Sequence, residues 1–497
     1  MTPALAHLDI AADLGRRLAG QAYWAGNMCG WMGWGWHADH LRMVPAYVAA
    51  GHDLGSGGAG IGLFLSEIGT ASGDGMMLAT AQGALRAAMA SPAPDGGLFV
   101  GRPGIALALV FGGEKLGDQQ LVAHGRKMLA ELRPVKRHAL YDGTAGAIAA
   151  QLMAGSDLSA SVELGRALVK AGVRDGDTLS WPTDTSQPHP NLLGLAHGVD
   201  GIAAVLAALA KASGEATFRD AANDALAYAA KGFDTARRMW PDYRVGAETP
   251  HLAASQGARF PVAWEHGATG VALSRCAVLR HMPERTETQD ELNAALEAVK
   301  AVTEIGSMAY QDFSAAGGLA GHGEALLEAA RAGQAGWEQR LSEISAYGAQ
   351  SIVMARMPWP TAAPNRQPTP SLLTGYAGIG RFYLRLHDPD TYPCLLCPVP
   401  TEIAEPDSGS ASKPEPSSSA AAKPKARARA RAKPKTSSKP SAAAPRKKAA
   451  QAPKEAPADK ADAKDEDTDA LAKKRATRPR RPRNETAKPR SPMDGDG

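Results

Sequence analysis

The chain has 497 residues, of which 44% are hydrophobic, so it can bury a sizeable core. Four cysteines (Cys29, Cys276, Cys394, Cys397) are too few and too scattered for a disulfide scaffold, which suits a reducing compartment. The net charge of +4 hides a split, because residues 401–497 carry 24 Lys and Arg against 14 Asp and Glu, leaving 31 basic and 37 acidic residues before them.

In chain order, the N-terminal stretch MTPALAHLDIAADLGRRLAG carries acidic residues and no short apolar core. It reads as an amphipathic helix rather than a secretory signal. Next comes WAGNMCGWMGWGWHADH, with Trp24, Trp31, Trp34 and Trp36 among glycines, a pattern that suits an aromatic plug under the first helix pair or a flap over a pocket. Residues 1–50 are set apart as this N-terminal segment.

From residue 57 the chain repeats. A glycine, two residues and a second glycine open an apolar helix-like run at Gly57, Gly101, Gly143, Gly198, Gly267 and Gly375, and a degenerate copy begins at Gly323 with Leu326 in place of the second glycine. The leading glycines lie 42 to 69 residues apart, room for two helices and their loops. No run of alternating β-branched residues competes with the Ala-, Leu- and Glu-rich stretches between them. The expectation is an all-α chain whose residues 51–400 form an α/α toroid, a double ring of about seven inner and seven outer helices with the glycine turns lining a central pocket. The most apolar stretch, LLGLAHGVDGIAAVLAALA, is interrupted by His197 and Asp200, which argues against a membrane span and for a soluble, cytoplasmic protein.

Beyond residue 400 the composition changes to Ala, Pro, Ser, Lys and Arg, with no Phe, Trp, Tyr or Cys. Such a segment cannot bury enough apolar surface to offset its ordering entropy, so residues 401–497 are expected to be disordered. Their spaced basic residues suit either a solvated tail or a tether to nucleic acid or an acidic partner.

Three turns carry titratable residues. His197 precedes the fourth, Glu265 and His266 precede the fifth, and His322 precedes the degenerate copy at Gly323. Titratable groups recurring at equivalent places of successive repeats converge on one pocket, where such clusters mark functional sites. Glu265, His266 and His322 also make a two-histidine, one-carboxylate set of the type that holds metals, although adjacent residues on one turn often point apart. The Cys394-x-x-Cys397 pair has no second half and reads as packing or a reactive surface thiol.

Over residues 50–390 the chain resembles the lanthionine synthetase C-like (LanC-like) family, the cyclases of lanthipeptide biosynthesis. The resemblance rests on the turns, on LGLAHGVDGI, WEHGATG and AGHGEA, and on the closing SLLTGYAGIGRFYLRLHDPDTYP. It implies zinc held by a cysteine before the fifth turn and a Cys-His pair before the sixth. Here Glu265 takes the first place and Gly321-His322 the pair, so both cysteines are replaced and no zinc is expected. The resemblance makes His197 an acid or base. It also points to an aspartate near the third turn, where Asp142 abuts Gly143 out of register, and to an arginine ahead of the fifth, for which Arg259 is the nearest candidate.

The implied reaction adds a peptide cysteine thiol to a dehydroalanine or dehydrobutyrine. Without zinc, the thiol needs a neighbouring base or positive charge, a part assigned to His322, His266 or Arg259, with Glu265 as base or orienting group. A precursor peptide is the expected substrate, and a separate dehydratase, or a kinase and lyase, the expected partner. The competing expectation is a non-catalytic scaffold for a modified peptide or a partner enzyme. A toroid glycosidase would need paired carboxylates, for which Glu265 and Asp200 are available.

Overall fold

The computed structural model describes residues 6–39, 42–183, 190–244 and 260–403, and the basic tail lies outside them. Among the described residues the helices of ten residues or more are α1 (His7–Gln21), α2 (Gly58–Ser72), α3 (Gly75–Ala90), α4 (Arg102–Leu116), α5 (Gln119–Ala130), α6 (Thr144–Met153) and α7 (Leu158–Ala171). The second half follows as α8 (Val199–Ser213), α9 (Ala216–Lys231), α10 (Ala268–His281), α11 (Glu287–Val302), α12 (Leu319–Arg331), α13 (Glu338–Tyr347) and α14 (Tyr376–His387). The even-numbered helices form the inner ring and the odd-numbered ones the outer ring of an α/α toroid. The N-terminal helix α1 packs against α14 and α2, so it is the outer helix that completes the ring.

The inner helices are apolar on nearly every side, as elements walled in all round must be; α2 is buried from Gly58 through Gly69. The hairpin between layers has its own local chemistry. Helices α2 and α4 stop at the left-handed glycines Gly73 and Gly117, and the next residues, Asp74 and Asp118, cap α3 and α5 by accepting backbone N–H hydrogen bonds.

The second glycine of each turn has one reason in common. A Cβ on Gly60, Gly104, Gly146, Gly201, Gly270 or Gly378 would collide with the backbone carbonyl oxygen six residues earlier in its own turn. Gly321 behaves in the same way against Ala315, and Gly318 is the extended N-cap of α12. The sixth turn is therefore Gly318–Gly321 with both glycines intact, and the copy placed at Gly323 lies inside α12.

The residues two places before each leading glycine hydrogen-bond from turn to turn around the ring. The Gly55 N–H donates to Phe99 O, Phe99 to Tyr141 O, Tyr141 to Ala196 O and Ala196 to Glu265 O, at 2.8–3.3 Å. Trp264 then donates to Ala316 O, Ala316 to Leu373 O and Leu373 back to Gly55 O, at 2.8–2.9 Å. The single one-residue slip, from Glu265 to Trp264, coincides with Gly267, whose φ of +114° departs from the extended N-caps of the other turns. Phe99, Tyr141 and Trp264 fill the middle, with Phe99 and Trp264 edge to face at 5.0 Å.

Buried ion pairs bind the inner helices to one another. Arg381 on α14 grips Glu67 on α2 with two hydrogen bonds of 2.9 and 3.1 Å, closing the ring. Arg275 on α10 pairs with Asp200 on α8 at 2.6 Å, and Arg385 on α14 reaches Glu324 and Glu328 on α12.

Three short antiparallel hairpins, absent from the all-helical expectation, decorate the ring: β1–β2 (Tyr23–Ala25, Met28–Gly30), β3–β4 (Met32–Asp39, Arg42–Ala49) and β5–β6 (Val173–Asp175, Thr178–Ser180). The tryptophans of the N-terminal segment accordingly divide. Trp31 is buried and donates its indole N–H to Leu18 O at 2.8 Å, whereas Trp24 and Trp34 sit on the hairpins, half-exposed. Trp181, after β6, makes the same bond to Leu168 O at 2.8 Å, so helix, hairpin and capping tryptophan form a second internal repeat.

Candidate functional site

The residue before each leading glycine faces the same end of the ring. In the third, fourth and fifth turns these residues are Asp142, His197 and His266. Asp142 and His197 line a cavity of about 230 Å³ together with Arg137, Trp181, Leu192 and Arg244. Arg137 is paired with Asp142, and Arg244 is held by Asp242 through two side-chain hydrogen bonds of 3.2 and 3.1 Å. The cationic heads at the cavity wall are thus fixed in position by carboxylates.

His197 and His266 stack, with ring centroids 5.3 Å apart and planes 10° from parallel, and Tyr141 lies against His197 at 4.6 Å. The ligand atoms of His197, Glu265 and His266 all lie within 4.8 Å of one another. Although Glu265 and His266 are adjacent, their ligand atoms converge, next to the one leading glycine with a positive φ, Gly267.

Burial dominates the electrostatics here. It pulls the His197 pKa down to about 4, assisted by Arg244 and Arg137 and opposed by Asp142. His266 falls to about 3, mainly by burial and then by the Arg244 charge. The Glu265 carboxyl is raised by burial against the pull of Arg244, and the Tyr141 hydroxyl is pushed up to about 12 by burial and by Glu265. Burial also pushes the Asp242 carboxyl up, but its hydrogen bonds to Arg244 and the neighbouring His266 outweigh this and hold it low. Both histidines are neutral imidazoles at physiological pH, with a lone pair each to offer.

Several sequence expectations change place. His322 lies in the first turns of α12, buried, with Nδ1 hydrogen-bonded to Thr269 Oγ1 at 2.8 Å; it is not part of the His197 cluster. Asp200 is fully buried, accepting from Gly194 N at 2.6 Å and from Arg275 at 2.6 Å, so it holds the 194–200 loop and forms no carboxylate pair with Glu265 across the cavity. Cys394 and Cys397 are buried and their thiols raised by that burial, so they are packing residues and not surface thiols. Arg259 lies outside the described residues. Arg137, Asp242 and Arg244 escaped the sequence reading because they belong to no glycine turn. Asp142 was recoverable from aligning the residue just before each leading glycine.

The family model for lanthionine synthetase C-like proteins matches residues 49–397. The chain belongs to the lanthionine synthetase C-like family. Among solved structures this lanthionine synthetase C-like chain is similar to nisin cyclase, with a TM-score of 0.54 at 14% identity, over 68% of this chain and 89% of that one. That likeness shows the fold. No curated protein matches by sequence. Among the described residues no helix is long and apolar enough to cross a membrane.

With the sixth turn at Gly318, the places of the family's Cys-His pair fall on Ala316 and Gly317, neither of which has a donor side chain. Glu265 alone of the three zinc places can bind a cation. The residues present do not fit the family's zinc at its fifth and sixth turns.

Proposed function

We propose that this protein closes thioether rings in a cysteine-containing peptide, adding a thiol to a dehydroalanine or dehydrobutyrine without the family's zinc ligands. The observation that supports this is His197, which stands at the fourth turn on the wall of the cavity that Asp142 and Arg244 also line. In the addition the sulfur bonds to the β-carbon, the π pair moves toward the amide carbonyl as an enolate, and the α-carbon takes a proton. Neutral His197 accepts the thiol proton, and its imidazolium, a strong acid, returns it to the α-carbon. Arg137 and Arg244 supply the positive charge that favours both thiolate and enolate. A separate dehydratase, or kinase and lyase, provides the dehydrated residues, and the basic tail is a tether to it or to an acidic leader.

The Ala316-Gly317 replacement favours a second reading, a scaffold that binds the modified peptide or a partner enzyme without chemistry. Incubation of the full chain and its partners with a dehydrated precursor, followed by thiol alkylation and mass spectrometry, separates the two. Ring closure faster than the uncatalysed peptide, abolished by His197→Ala with peptide affinity changed less than about threefold, supports the cyclase. Closure no faster than background leaves the scaffold.

A further inference from the structure

The His197, Glu265 and His266 cluster has a use that the thiol chemistry alone does not require. Their ligand atoms converge within 4.8 Å, and they are the one group of three or more His, Cys, Asp or Glu side chains among the described residues to do so. His266 adds a second observation, a pattern that His281 and His322 share without belonging to such a cluster. Its side chain hydrogen-bonds the Leu193 backbone, with Nδ1 lying against the 193–194 segment, while the buried Nε2 has no partner among the described residues. A ring anchored through one nitrogen, with the other left as an unsatisfied lone pair, is how histidines are set as metal ligands. An orphaned buried nitrogen otherwise costs on the order of 1–3 kcal/mol. Glu265 adds a carboxylate that makes no side-chain hydrogen bond or ion pair among the described residues, and its charge offsets the cation.

We propose that His197, Glu265 and His266 form a binding site for one divalent first-row transition ion, zinc foremost. Two imidazoles and a carboxylate are a borderline nitrogen and oxygen set suited to zinc or cobalt rather than to calcium or magnesium. The site is not the family's: that one draws on the fifth and sixth turns, whereas this one joins the fourth and fifth and shares only the Glu265 place. A tetrahedral ion at ~2.1 Å from each donor wants them about 3.4 Å apart, so the three close by on the order of 1 Å, and the near-parallel imidazoles turn to aim both lone pairs at the ion. His197 also lines the cavity, which puts the ion at the cavity wall.

The inference does not depend on the proposed activity, but it shares His197 with it: an imidazole bound to the ion has no lone pair left for the thiol proton, so His197 acts as base only when the site is empty. The test uses the full chain without a histidine tag, stripped by chelator and titrated with Zn(II), with Co(II) as the spectroscopic probe. One equivalent of zinc by elemental analysis and a ligand-field spectrum on cobalt addition are expected. His197→Ala and His266→Gln should each weaken binding on the order of 100-fold, while His322→Gln and the double Cys394→Ser, Cys397→Ser variant keep it. No stoichiometric binding by the parent chain overturns the proposal, as does binding that survives His197→Ala and His266→Gln or is lost in His322→Gln. Failure to close rings would leave a positive metal result standing, and the reverse also holds.

Discussion

His322 is held without a proton by the walls around it. Burial lowers its pKa from 6.5 to about 4, and its Nδ1 is engaged by Thr269. Between those two values the unfolded chain takes up a proton that the folded chain refuses, so the stability tied to His322 is complete above about pH 6.5 and is lost as the pH falls toward 4. The size is about 3 kcal/mol. His322→Gln keeps a hydrogen-bonding group for Thr269 and removes its titration, so the gap between urea midpoints measured at pH 7 and pH 5 should narrow in the variant, with His197, His266 and His281 supplying what remains. An unchanged gap between the two midpoints would show that His322 is not the group concerned. The residue was legible as special, being a histidine beside a glycine, but its partner was not. Thr269 is 53 residues away, and only packing of α12 against α10 brings the two together.

At the scale of the element, the sixth turn separates motif from geometry. The run SAAGGLAGHG offers more than one glycine spacing, and the choice belongs to the carbonyl of Ala315, which leaves no space for a Cβ on Gly321. Gly317, one residue outside the turn, has nothing within 4 Å of where its Cβ would be. Gly321→Ala should therefore cost roughly 2–3 kcal/mol, as backbone overpacking does, and Gly317→Ala close to none, both measured by denaturant unfolding. Equal costs would return the turn to Gly323. The same reasoning explains two of the three hairpins that the sequence analysis missed. Gly-Asn at 26–27 and Gly-Asp at 176–177 are two-residue hairpin turns flanked by strands of three residues, too short to register as alternation.

At the scale of the molecule, the segment after α14 runs back over the ring. Leu396 O accepts the Trp264 indole N–H at 2.8 Å, Tyr392 O accepts from Arg385 at 2.8 Å, and the Pro400 backbone hydrogen-bonds His281. Cys394, Leu395, Leu396 and Val399 are buried beneath. A stop after His387 strips these contacts and leaves the Arg385 Nε and the Trp264 indole N–H without their acceptors, so the Tm should fall by roughly 10 °C or more. Deleting residues 404–497 should leave the Tm unchanged, as a calorimetric comparison of the two truncations would establish. A drop on the second deletion would mean that the tail docks on the ring. The sequence by itself determined the ring, because a glycine pair opening an apolar helix is a local requirement that recurs wherever the same turn must form, and it picked out His197, Glu265 and His266 for the same local reason. Only the tertiary structure decided which of them meet, because the cavity joins turns more than 50 residues apart along the chain and the Glu265 and His266 ligand atoms converge beside a one-residue slip at Gly267. It also set His322 apart from the His197 cluster and lined the cavity with Asp142, Arg137 and Arg244, since those contacts depend on how neighbouring repeats pack and not on any spacing within one.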